Sequence, residues 1–118
     1  MLHTLYRVKK MRSKNDMDLA RALIFKALAD PLRLKILRFL GEEEKCVSEL
    51  IPVLKTVQPL VSRHLRILRE CGIVSFRKVG NKKPYRVTDK RIIELINMVS
   101  QDLINNLSKY AEREFYFL

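Results

Sequence analysis

The sequence predicts a mainly α-helical chain with one small β-hairpin, and three observations predict it. Apolar residues recur at helical spacing through most of the chain between residues 16 and 110. Residues 57–68, Val-Gln-Pro-Leu-Val-Ser-Arg-His-Leu-Arg-Ile-Leu, divide on a helical wheel into two faces. Val61, Leu65 and Leu68 form an apolar stripe flanked by Leu60 and Ile67, whereas Gln58, Ser62, Arg63, Arg66 and Arg69 share the opposite arc. Immediately afterwards the period changes. Ser75–Val79 alternates as a strand does, Gly80-Asn81-Lys82-Lys83 makes a turn, and Pro84–Val87 returns. A basic-faced helix followed at once by a basic hairpin is the layout of a winged helix-turn-helix, a three-helix core plus a wing.

Each element has its own signals. Residues 1–15 mix Leu2, Leu5, Tyr6, Val8 and Met11 with five cations and show no decisive period, so they form a basic N-terminal arm of unassigned structure. Asp16 or Asp18 caps a helix running to about Ala29, with Leu19, Leu23, Ile24, Ala27 and Leu28 as its stripe. Asp30-Pro31 opens the next helix as N-cap and first helical residue; Leu32, Ile36, Leu37 and Leu40 point inward and Gly41 ends it. Glu42-Glu43-Glu44-Lys45 reads as a solvated loop without a function, facing away from any polyanion. Residues 46–54 make a short helix with Leu50 and Leu54 on the buried side. Pro52 within it implies either a late start capped by Ser48 or kinked first turns. Thr56 is the expected cap of the 57–69 helix, and Gly72 its left-handed terminus. Thr88 or Asp89 starts one long helix to about Tyr110, striped by Ile92, Ile96, Val99, Leu103 and Leu107. Three segments follow: an arm over 1–15, the winged helix over 16–90, and a dimerisation helix and tail over 91–118.

Length and charge bound the function. A chain of 118 residues is one domain. No apolar run approaches the roughly 20 residues of a membrane span, and no signal-peptide core is visible, so the cytoplasm is the expected compartment. The net charge is +11, and its placement is local. Residues 1–15 hold five basic groups and no acid; residues 55–86 hold nine against Glu70 alone. The remainder is near neutral. A polyanion is the natural partner, through counterion release. The polar arc of the 57–69 helix carries groups suited to phosphates and base edges, so Gln58, Ser62, Arg63 and Arg66 are the candidate DNA contacts, joined by the wing cations Arg77, Lys78, Lys82 and Lys83. An exposed charge run is commonly only a solvated face; the hairpin that follows is what favours double-stranded DNA here. A winged helix whose basic face meets RNA or an acidic protein is the alternative.

The apolar surface of the last helix is too broad for so small a domain to bury alone. Leu19, Leu23, Ile96, Val99, Leu103 and Leu107, with Phe115 and Phe117 from the aromatic tail, are therefore the expected homodimer interface. His64 lies toward the apolar side and reads as a satisfied boundary histidine, and Cys71 as a small packed residue. No Gly-rich phosphate loop, paired nucleophile and base, or metal-ligand cluster is present, so neither an enzyme nor a cofactor is expected.

Leu28-Ala29-Asp30-Pro31-Leu32-Arg33-Leu34-Lys35-Ile36-Leu37 and Gln58-Pro59-Leu60-Val61-Ser62-Arg63-His64-Leu65-Arg66-Ile67-Leu68-Arg69-Glu70-Cys71-Gly72-Ile73-Val74 resemble the second helix and the recognition helix of ArsR/SmtB-type repressors. The resemblance covers roughly residues 20–90. It implies a homodimeric, cytoplasmic repressor that binds an inverted-repeat operator and is released by an inducer. It also implies that Gln58, Ser62 and Arg63 occupy DNA-contact positions, that Arg77–Arg86 is the wing, and that the first and last helices pair. The sequence departs from the metal-sensing pattern. Where the family's box has two cysteines flanking a Val, this chain has Cys46-Val47-Ser48, and one thiolate is not a soft-metal site. Cys46 is thus only a weak metal candidate, and the inducer is unidentified.

Overall fold

The structure is a computed structural model that describes residues 14–112. Six helices and one hairpin follow in chain order: α1 (Lys14–Leu28), α2 (Pro31–Leu40), α3 (Val47–Leu54), α4 (Gln58–Glu70), β1 (Val74–Phe76), β2 (Tyr85–Val87), α5 (Arg91–Met98) and α6 (Gln101–Tyr110). The mainly α fold with one hairpin is the class the sequence predicts. Residues 1–13 of the expected arm (1–15), including His3, and the tail residues Phe115 and Phe117 lie outside the described residues, whereas residues 14 and 15 already belong to α1.

One core holds α1 to α4 and the hairpin together. Ala27 and Leu28 enter it from α1, Ile36, Leu37 and Leu40 from α2, Leu50 from α3, and Val61, Leu65 and Leu68 from α4. Cys71, Ile73 and Val74 close it below the wing. A fully buried side chain of this size contributes about 1.5–3 kcal/mol, so the stripe of α4 anchors the helix firmly and leaves its polar arc outside.

The helix ends are set by local chemistry. Asp30 Oδ1 accepts from the backbone N–H groups of Leu32 (2.8 Å) and Arg33 (3.2 Å), and Pro31 needs no donor there. α4 closes in a Schellman motif: Gly72 N–H donates to Arg69 O and Ile73 N–H to Leu68 O, both at 2.9 Å, with Gly72 at φ +78°. That turn aims the chain directly into β1.

Four expectations about helix ends are corrected. α1 is already helical at Lys14, so Asp16 and Asp18 lie inside its first turns; Asp18 instead accepts from Arg21 at 2.9 Å. α3 is capped neither late nor by Ser48. Cys46 is its N-cap, the Glu49 carboxylate accepts from the Cys46 N–H at 3.0 Å, and the helix continues through Pro52. Val57, not Thr56, is the N-cap of α4, with no side-chain cap bond. The long C-terminal helix is two helices. Val99 leaves helical geometry at ψ 74°, and Ser100 starts α6 by accepting from Leu103 N–H at 3.2 Å.

The wing is narrower than the sequence suggests. β1 and β2 pair antiparallel with Val74 opposite Val87 and Phe76 opposite Tyr85. A second bridge, Val79 with Lys82, closes a two-residue turn on Gly80, at φ +61°, and Asn81. Lys45 adds a third position to this sheet, exchanging backbone hydrogen bonds with Tyr85 at 2.9 and 2.8 Å. Thr88 fastens the base, its Oγ1 donating to Gly72 O at 2.7 Å.

Candidate nucleic-acid interface

Gln58 of α4 and Lys82 and Lys83 of the wing tip line one cleft. Gln58, Ser62, Arg63 and Arg66 are all exposed, as burial of Val61, Leu65 and Leu68 requires. A cleft of about 430 Å³ runs between the N-terminal turn of α3 (Cys46, Ser48, Glu49), Gln58 at the start of α4, and Asn81, Lys82 and Lys83 at the wing tip. The first and second helices of the helix-turn-helix and the wing therefore share one concave surface, whose charged groups are Lys82, Lys83 and Glu49; Ser62, Arg63 and Arg66 are exposed on α4 outside its lining. Arg66 pairs with Glu70 one turn on (Nε to Oε1, 3.1 Å), but its side chain stays 72% exposed, and an exposed i,i+4 pair of this kind holds it by only a few tenths of a kcal/mol.

Phe76 joins the recognition helix to the wing. The Arg69 guanidinium and the Lys83 ammonium each sit 5.3 Å from its ring centroid, and Tyr85 packs on it at 5.2 Å. Cation–π contact of this kind, worth about 0.5–1 kcal/mol at an exposed site, brings two cations from separate elements onto one ring. Phe76 has no polar atom and sits in an alternating strand, so sequence reading places it only as packing.

The wing cations are not equivalent. Lys78 and Lys82 are exposed. Arg77 is held by Glu44 in a two-pronged pair, Nε to Oε1 at 3.0 Å and Nη2 to Oε2 at 2.9 Å. The hydrogen bonds from Arg77 hold the Glu44 carboxyl below its usual range, and the same contact raises the Arg77 guanidinium further. The acidic loop is thus tethered to the wing, not simply solvated. Its neighbour Glu43 accepts from Lys45 Nζ at 2.6 Å, while that ammonium lies 5.0 Å from the Phe39 ring centroid.

His64 is half-buried, as a boundary residue is, but it is not fully satisfied: its Nδ1 and Arg33 Nε are buried without a hydrogen-bond partner among the described residues. Cys71 is a packed core residue, and desolvation pushes its thiol up. Cys46 is half-buried at the mouth of the cleft, and the two cysteines form no disulfide. Among the described residues no group of three His, Cys, Asp or Glu side chains could hold a metal ion, and no helix is long and apolar enough to cross a membrane.

Of the expected interface residues that are described, Leu19, Val99, Leu103 and Leu107 are exposed and Leu23 and Ile96 half-buried; Phe25, Met98 and Tyr110 are further exposed apolar side chains. Phe25 and Leu28 of α1 and Ala29 just after it line an apolar hollow of about 210 Å³ together with Leu34, Leu95, Ile96 and Val99. Helix α6 buries none of its residues.

Comparison with known proteins agrees with this geometry. The family model described as "Bacterial regulatory protein, arsR family" matches residues 30–75. The chain is 46% identical over 81 residues to an uncharacterized HTH-type transcriptional regulator of Methanocaldococcus jannaschii, covering 68% of this chain and 91% of that protein. It is 39% identical over 73 residues to the HTH-type transcriptional repressor SmtB of Mycobacterium tuberculosis, covering 62% of this chain and just 54% of SmtB. A solved homodimeric winged helix-turn-helix DNA-binding domain of Mycobacterium bovis superposes with a TM-score of 0.66 over 89% of this chain and 98% of that one; at 24% identity this likeness is one of fold.

Proposed function

The chain belongs to the arsR family of bacterial regulatory proteins, and from that premise we propose that it is a cytoplasmic repressor binding an inverted-repeat operator as a homodimer. The observation that carries the reading is the shared cleft: Gln58 and Ser48 on one side, Lys82 and Lys83 on the other, with Ser62, Arg63 and Arg66 exposed on the same α4. A major groove about 12 Å wide admits one helix, so α4 lies in the groove and the wing tip follows the adjoining backbone. Gln58 and Arg63 read base edges. Ser62, Arg66, Lys78, Lys82 and Lys83 position the molecule on phosphates. Lysine is a mobile point charge, whereas an arginine fork matches guanine.

The second copy covers the apolar surface of α1, α5 and α6. Val99, Leu103 and Leu107 are exposed, as are Leu19 and Phe25, and a large apolar patch left in water is the mark of an interaction surface. Two-fold pairing of that surface sets two copies of α4 on half-sites about one helical turn, or a multiple, apart. Cys46-Val47-Ser48 supplies a single thiolate, so release from the operator does not run through a thiolate metal site at this position.

Selection of bound sequences from a random duplex pool tests the reading. The expected product is an inverted repeat that outcompetes random duplex and single-stranded RNA by at least about a thousandfold. A pool that stays random, or equal competition by RNA, would overturn it.

A further inference from the structure

Arg77 is the only arginine among the wing's four candidate contacts, and it is the one whose fork is already filled. Both prongs meet the two Glu44 oxygens at 2.9 and 3.0 Å. Among the described residues, no ion pair engages Lys78, Lys82 or Lys83. The partner is fixed in place. Glu44 immediately precedes Lys45, whose backbone is bonded in both directions to Tyr85 of β2, so the carboxylate rides on the same small sheet as Arg77. Arg86, exposed on β2, adds its charge to the hold on Glu44. An ion pair this exposed, with Arg77 at 65% and Glu44 at 35%, adds little to folding stability. What it changes is what the wing offers to a polyanion.

We propose that Glu44 is a specificity-determining residue that withholds Arg77 from nucleic acid, leaving Lys78, Lys82 and Lys83 as the wing-tip cations that grip the duplex. The proposal rests on the DNA-binding reading above and refines it. A bidentate carboxylate occupies the donors that would otherwise fork onto a phosphate or a guanine. A phosphate approaching Arg77 also meets the Glu44 charge. The wing then contributes sequence-independent contacts of limited strength, and discrimination stays with α4. Glu44 acts through Arg77 and touches no DNA itself.

The test is a double-mutant cycle of Glu44→Gln and Arg77→Ala in the full chain, read on random-sequence duplex and on immobilised heparin across a salt series. E44Q is expected to steepen the dependence of log Kobs on log salt by about 0.9, the value of one added phosphate contact. It should also tighten random-duplex binding about three- to tenfold at low salt. R77A alone is expected to leave the slope unchanged, and in its background the E44Q effect should vanish; with Arg86→Ala it should persist. Glu44→Ala provides a second variant with the same expectation, and thermal unfolding of each variant checks that the fold is intact. An E44Q slope equal to wild type overturns the proposal. So does equal steepening without Arg77, which is a bare charge effect, or an R77A slope shallower by about 0.9, which means that Arg77 already reaches phosphate. A wild type that ignores duplex but shows the Arg77-dependent shift on heparin would remove the operator reading and leave the latch standing.

Discussion

Arg63 stands exposed in the second turn of α4 between the buried Val61 and Leu65, which fixes its direction, and no ion pair among the described residues engages it. Arg63→Ala is expected to cost about 1–3 kcal/mol on the selected operator and much less on random duplex; equal losses in a competition titration would count against base reading. Lys82→Ala and Lys83→Ala should each flatten the salt slope by up to about 0.9, Lys83 less, since its ammonium also lies against Phe76. Asp30 carries a stability prediction. Partial burial raises its carboxyl, but the N–H groups of Arg33 and Leu32 and the charges of His64 and Arg33 outweigh this, so its folded value lies below 3.8. A depressed carboxylate stabilises the fold above its unfolded pKa, and the contribution is lost as pH falls through the folded value. Asp30→Ala should therefore cost about 1 kcal/mol near neutrality and progressively less below about pH 4, as read from urea unfolding at each pH. These positions were legible one at a time, since an Asp before a Pro or an Arg on a polar arc has a local meaning. The Glu44–Arg77 pair was not, because 33 residues separate its members and only folding of the sheet brings them together.

At the scale of elements, the helix-turn-helix depends on a tight connection that the sequence marks poorly. Lys55 caps α3 in left-handed geometry, φ 52° and ψ 47°, and is the only residue other than glycine at positive φ among the described residues. Lys55→Gly relieves that strain and should stabilise the protein by about 0.5–1 kcal/mol, seen as a higher midpoint in denaturant; no change would mean that the surrounding turn already compensates. Pro52 sits in the interior of α3, where it removes one backbone donor. The cost is tolerated because Leu50 is buried and Val47, Ile51 and Leu54 pack against the core, so tertiary contact holds a helix that propensity alone would not. The break between α5 and α6 was hidden by the apolar spacing, since Ile92, Ile96, Val99, Leu103 and Leu107 read as one uninterrupted stripe. Ser100 with Asp102 in the following turn was the signal that could have revealed it, an N-cap and an acid at a helix start. Ser100→Ala removes the bond to Leu103 N–H.

For the whole molecule, the question is what covers the exposed apolar side chains of α1, α5 and α6. The Cα radius of gyration is 16.1 Å, above the roughly 13 Å of a compact monomer of this length, and α6, with no buried residue, is the element with least contact to the core. Leu103→Asp should convert a dimer to monomer in sedimentation, with operator affinity falling at least about a hundredfold as the second half-site is lost; a monomeric wild type would remove the two-fold reading. From the amino-acid order alone came the helix faces, the hairpin, the basic arc and the family likeness, because periodicity, caps and turn residues act over a few neighbours. Tertiary structure alone decided which charges remain available. Arg77 is matched by a carboxylate from a distant loop, Arg69 and Lys83 share one aromatic ring, and Ser48 and Lys82 line the same cleft. Such pairings follow from the approach of separate elements in space, and one-dimensional spacing carries no record of them.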